Sequence, residues 1–246
     1  MTIKKRLITI ENEECLLHLP EKPNGYAILI LGDRSHYIHG EDSYWTQHPT
    51  RKELLEGFVD KGYTVFYSHQ SGAHWGKADI AKVTVRLINY ALKTEILNQH
   101  IHIIAEGMGA LIALRLLADK NIKIRSSVFI NPCISITNQL EEEEINRFFY
   151  KKMVKELIEA YNVGEEELEL ISNDMDKVRE AINPDVPIRI LQAVYQAPYS
   201  MEKQTRVFIK ERKDKQKEID TTFYLPGKTI NQFIQPICFF FVKYEQ

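Results

Sequence analysis

The sequence predicts an α/β fold, a mostly parallel sheet flanked by helices with one helical insertion. Three observations carry this. Short apolar runs at 26–31, 63–67, 101–105 and 124–130 alternate with longer segments in helical spacing. The chain has 246 residues, 44% of them hydrophobic, which suffices for a large core in a single domain spanning 1–246. From 138 to 176 the alternation gives way to charged, helical sequence.

Each element has a local cause. The run 26–31 lies between Gly25 and Gly32 and is rich in Ile and Leu, as a strand buried on both faces must be. Thr50 and Glu53 form a capping-box pattern ahead of Leu54, Leu55, Phe58 and Val59, which share one helical face, and Gly62 ends that helix. After the strand 63–67, a polar stretch, 69–76, precedes a helix carrying Val83, Val85, Leu87, Ile88 and Leu92. The strand 101–105 runs at once into a helix at 108–118, and 124–130 is a fourth strand. Such a rhythm implies right-handed crossovers with helices on both faces. Ligands of such sheets bind at the carboxyl ends of the strands, which directs the search for chemistry to 32–39, 67–75, 105–109 and 131–134.

In the insertion, an acidic run at 141–144 leads into Ile145, Phe149, Met153 and Leu157, spaced every four residues, with Val154, Ile158 and Tyr161 beside them. This predicts an amphipathic helix ending near Gly164 and a second one beginning in 165–171. A helical excursion at this place forms either a lid over the strand ends or a solvated acidic helix pair. A strand at 187–194, a charged exposed helix at 203–218, a last strand at 222–225 before Pro226 and Gly227, and a closing helix at 230–243 complete the chain.

Thirty-two basic against thirty-four acidic residues leave a formal charge of −2, which argues against a nucleic-acid partner. Three widely spaced cysteines, Cys15, Cys133 and Cys238, form no CxxC pair, and no HExxH occurs, so neither a metal nor a disulfide framework is expected, and no cofactor motif is present. Lys4, Lys5 and Arg6 resemble the start of a signal peptide, but Glu11, Glu13 and Glu14 interrupt the apolar stretch. The apolar run 237–242 is too short to span a bilayer. A cytoplasmic protein with no membrane partner is the expectation.

The segment Ile103-Ile104-Ala105-Glu106-Gly107-Met108-Gly109-Ala110 takes a buried strand through a tight turn, with small residues at Ala105 and Gly109, straight into a helix. Here the sequence resembles the α/β-hydrolase superfamily, whose nucleophile elbow reads G-x-S-x-G in this context. The resemblance implies an α/β-hydrolase-like fold with a helical lid at about 138–176, and it places Gly107 where the serine would stand. Gly32, Asp33 and Arg34 would form the oxyanion loop, with the backbone N–H of Asp33 or Arg34 and that of Met108 pointing into one hole. The segment 195–200, where the family's acid would follow its strand, has no carboxylate. Lys228 falls at the histidine's place, and no histidine follows His102.

Three readings follow. The first is a degenerate, non-hydrolytic binder of a small molecule or protein partner in the former cleft. The second is a divergent hydrolase of esters, thioesters or amides that uses a displaced nucleophile or water activated by Glu106. The third is an interaction subunit whose helices at 138–176 and 203–218 face a partner. Under the second, Cys133 could pair with His69 or His74; otherwise it is a buried thiol and the histidines are loop residues. Glu106 acts either as a base or as a side chain that turns to solvent or pairs with a loop residue, and Lys228 either meets Asp33 or Glu106 across the cleft or lies on the surface.

Overall fold

The computed structural model describes residues 4–217, 219–225 and 227–245. Eight strands form the main sheet: β1 (Lys4–Ile10), β2 (Glu13–Leu19), β3 (Ala27–Leu31), β6 (Thr64–Ser68), β7 (Ile101–Glu106), β8 (Ile124–Ile130), β9 (Ile188–Ala193) and β10 (Asp220–Tyr224). Two short strands, β4 (Ile38–His39) and β5 (Asp42–Ser43), pair separately. The sheet order is β1-β2-β6-β3-β7-β8-β9-β10. β2 runs antiparallel to β1 and β6, and the ladders from β6 to β10 are parallel.

Helices cover both faces. They are α1 (Tyr44–Gln47), α2 (Pro49–Asp60), α3 (Ala78–Thr94), α4 (Gly109–Ala118), α5 (Ile136–Glu143), α6 (Arg147–Tyr161), α7 (Leu168–Ala181), α8 (Val207–Asp214) and α9 (Ile234–Val242). Alternate residues of each strand feed opposite layers. Leu29, Leu31, Ile103 and Ala105 pack with α3, α4 and α7, whereas Ile28, Ile30 and Ile104 pack with α2 and α9. In the second layer α9 packs on α2, with Phe241 lying 6.4 Å from Phe58, centroid to centroid.

Several sequence expectations are corrected. The hairpin of β1 and β2 precedes the strand taken as first. Glu11 and Asn12, at φ +50° and +70°, make its two-residue turn, and the Lys- and Arg-rich β1 protects the sheet edge. The capping box at Thr50 does not form: α2 starts at Pro49, whose fixed φ suits the first turn, and the Thr50 hydroxyl bonds His48 instead. In the insertion, Met153 and Leu157 are buried, but Ile145 precedes α6 and Phe149 is exposed, because the core face of that helix begins only at its second turn. The segment expected as an exposed helix at 203–218 buries Gln204, Thr205, Phe208 and Arg212. Its last residue, Glu218, and the turn residue Pro226 lie outside the described residues.

α6 is tied to the loop after β6. Trp75 donates its indole N–H to Glu156 at 3.0 Å, and the Tyr161 hydroxyl donates to the Trp75 carbonyl at 2.9 Å.

Candidate functional site

The carboxyl ends of β3, β7 and β8 converge on the turn after β7. Glu106 ends the strand, Gly107 adopts φ +55° and α4 begins at Gly109. Only glycine takes this left-handed geometry without a Cβ penalty. The Gly107 N–H donates to the Ile130 carbonyl at 3.0 Å, and its carbonyl accepts from the Cys133 N–H at 2.9 Å, so β8 and the loop after it hold the turn. Gly109 serves a different need. A Cβ there would collide with the backbone carbonyl of Leu31, because α4 enters against the end of β3.

A Cβ on Gly107 would instead fall on the carboxyl group of Asp33. Asp33 Oδ1 accepts from the Met108 N–H at 3.0 Å and from the Tyr199 hydroxyl at 2.8 Å. Burial, and next the Asp33 charge, push the Tyr199 phenol well above its ordinary pKa, which keeps it a donor. The 32–34 loop therefore meets the elbow with a side chain, where an amide was expected. An anion at the first amide of a helix is favoured by the helix field, and Gly107 leaves it room. Gly32 sits behind this contact: its N–H donates to Gln70 Oε1 at 2.8 Å, and the His36 ring fills the place of a Cβ. The Arg34 guanidinium lies 5.4 Å from the Trp75 ring centroid and 3.6 Å from Glu156.

Glu106 is paired from α2. Arg51 donates Nε to Oε2 at 3.0 Å and Nη2 to Oε1, and its plane lies 4.8 Å from the Tyr44 centroid. A cavity of about 170 Å³ lies between Asp33, Tyr44, Arg51, Glu106, Gly107 and Asn131. A wider cleft, of about 780 Å³, lies beside Ile188 and Asp220 at the opposite ends of β9 and β10. The smaller cavity is the candidate site because it is the one at the carboxyl ends of parallel strands.

Cys133 and the two loop histidines are not joined. The Cys133 side chain is fully buried, and burial followed by the Asp33 charge pushes its pKa well up, so it stays a thiol. His69 Nδ1 bonds the backbone of Ile38, and His74 Nδ1 accepts from the Gly76 N–H at 3.2 Å. Lys228 is exposed and meets neither carboxylate, since Asp33 and Glu106 are already held by Met108, Tyr199 and Arg51. Neither Tyr199 nor Arg51 stood out in the sequence. The expected partner for Glu106 was a loop residue; the structure supplies Arg51 from α2 instead.

No family model matches the sequence, and no curated protein matches it. Solved structures do match in fold. The acylaminoacyl peptidase of Pyrococcus horikoshii superposes with a TM-score of 0.73 at 12% identity, over 100% of this chain and 42% of that one. This chain thus spans less than half of that peptidase. Est1E from Butyrivibrio proteoclasticus gives 0.67 at 11% identity, over 97% of this chain and 99% of that one. FphF, a fluorophosphonate-binding serine hydrolase of Staphylococcus aureus, gives 0.63 at 13%, over 98% of each chain. The fold is that of the α/β hydrolases: a mostly parallel eight-stranded sheet flanked by helices.

Proposed function

We propose that this α/β-hydrolase-fold protein is non-hydrolytic and uses its former cleft to hold a small polar molecule or a protein partner. The observation that carries the reading is the Asp33 carboxylate, seated on the Met108 amide in the space a Gly107 side chain would fill. Without a hydroxyl or thiol at Gly107 there is no group to acylate. Triad-less enzymes keep roughly 10³–10⁴-fold over water from an intact oxyanion hole and binding site. Here an internal anion already occupies the elbow amide that would receive the substrate oxygen. Glu106-activated water is disfavoured because both carboxylate oxygens are committed to Arg51.

The reading takes 1–246 as one domain, supported by a core that joins α2 to α9, and takes 138–176 as a lid, supported by the Glu156 and Tyr161 bonds to Trp75. A cytoplasmic setting is supported by three free, buried cysteines. The experiment is labelling with a fluorophosphonate probe beside assays on short-chain aryl esters. No labelling and no turnover above buffer are expected. Robust turnover that is abolished by changing one cleft residue would overturn the reading.

A further inference from the structure

The charged groups that line the cavity at the strand ends do not cancel. Arg51 and Glu106 neutralise one another in a two-pronged pair. Asp33 is left over, with no ion pair to any described residue. Both of its hydrogen bonds end on Oδ1, and Oδ2 accepts none from the described residues. The neighbouring Arg34 lies over Trp75 and 3.6 Å from Glu156, which balances it. The amino end of α4 offsets about half of the Asp33 charge, so a net negative charge faces the cavity.

At an elbow of this kind the Met108 amide is the group that would receive an oxyanion. With Asp33 seated on it, the sign of the site is reversed. We infer that the cavity binds a small primary ammonium ion, which donates to Asp33 Oδ2. This rests on the cleft being a binding site, and it names the class of ligand. An ammonium supplies a charge and three donors, and its bond to a carboxylate is stronger than that of a neutral hydroxyl. One free carboxylate oxygen is too little for a hard metal ion such as calcium, which takes about 6–8 oxygen ligands. The volume of about 170 Å³ holds an amine of about five or six non-hydrogen atoms, at ~30 Å³ for each water-sized group. Tyr44 and Pro198 also line the cavity and give an alkyl stem surfaces to lie against.

Amide NMR spectra of the full chain at constant ionic strength test this. Ethanolamine and 1-propylamine should shift the Gly107 and Met108 amides saturably, with a millimolar Kd, as ligands of so few atoms allow. Neutral 1-propanol and anionic acetate should not. Asp33→Asn keeps the shape, removes the charge and should weaken amine binding at least tenfold. Asp33→Gly uncovers the Met108 amide and should invert the preference, from amine to acetate. The remaining amide signals check that each variant is folded. A lysine peptide blocked at its α-amine presents the same group from a protein. Tighter binding of the peptide than of the free amines would assign the ammonium to a partner's side chain, and the reverse to a metabolite-sized amine. No saturable shift with any of these amines, a wild-type chain that takes acetate in their place, or amine binding untouched by Asp33→Asn would overturn the inference. Ester turnover or probe labelling would instead sink the non-hydrolytic reading, and the amine titration would still stand as measured.

Discussion

Gly109 and Gly107 stand two residues apart in one turn, yet they are glycines for different reasons. Gly109 is crowded by backbone, the carbonyl of Leu31, which the sheet holds in place. Gly107 is crowded by a side chain, the Asp33 carboxylate, and Gly32 likewise by the ring of His36. Backbone crowding belongs to the fold, because strand and helix cannot approach otherwise. Side-chain crowding belongs to what this particular chain has placed over its strand ends.

The largest effect should come from acid, through two buried histidines, one of which is the ring behind Gly32. His36 and His74 are fully enclosed, and burial lowers each from 6.5 to about 4. Between pH 6.5 and 4 the unfolded chain takes up protons that the folded one refuses. Stability is therefore full above pH 6.5 and falls through this window, by up to about 1.4 kcal/mol per pH unit for each histidine. Denaturant midpoints at pH 7 and 5 measure it, and His74→Gln should flatten the slope; equal slopes would count against the assignment.

Next comes the contrast between the two glycines. Gly109→Ala should cost about 3 kcal/mol or more, because nothing near it can yield. Gly107→Ala should cost about 2 kcal/mol, from left-handed strain and a displaced Asp33. In an Asp33→Gly background, part of the Gly107→Ala cost should return, about 1 kcal/mol, while the Gly109→Ala cost should not change. Additive behaviour at both sites would mean that Asp33 does not occupy the elbow.

The smallest effect is that of Asp33→Asn or Tyr199→Phe, each about 1 kcal/mol, since one hydrogen bond at the Met108 amide is weakened or one donor lost. Protection of the Met108 amide against hydrogen exchange reads this directly, and it should drop in both variants. Unchanged protection would place the carboxylate elsewhere in solution.

The parts of the fold legible in the sequence were those whose cause is local. The strands at 101–105 and 124–130, and the helix that follows Gly107, come from apolar runs and a small-residue turn that any reader of the chain can find. The hairpin of β1 and β2 was hidden because an edge strand carries Lys4, Lys5 and Arg6, which look like a leader or a loop. Ile145 and Phe149 fit the four-residue spacing of Met153 and Leu157, but periodicity does not say where a helix face leaves the core. At the site, Asp33, Glu106 and Gly107 were singled out by position. Their partners Tyr199 and Arg51 lie 166 and 55 residues from them, a distance no local pattern bridges.

By itself the sequence determined the alternating architecture, the glycine at the elbow, and the lack of a carboxylate at 195–200 and of any histidine after His102. These are matters of residue identity and short-range spacing, and they need no neighbour in space. Only the tertiary structure decided what fills the elbow. Loops after β3, β7 and β9 bring Asp33, the Met108 amide and Tyr199 within hydrogen-bond reach, and that meeting depends on how the strands order themselves in the sheet.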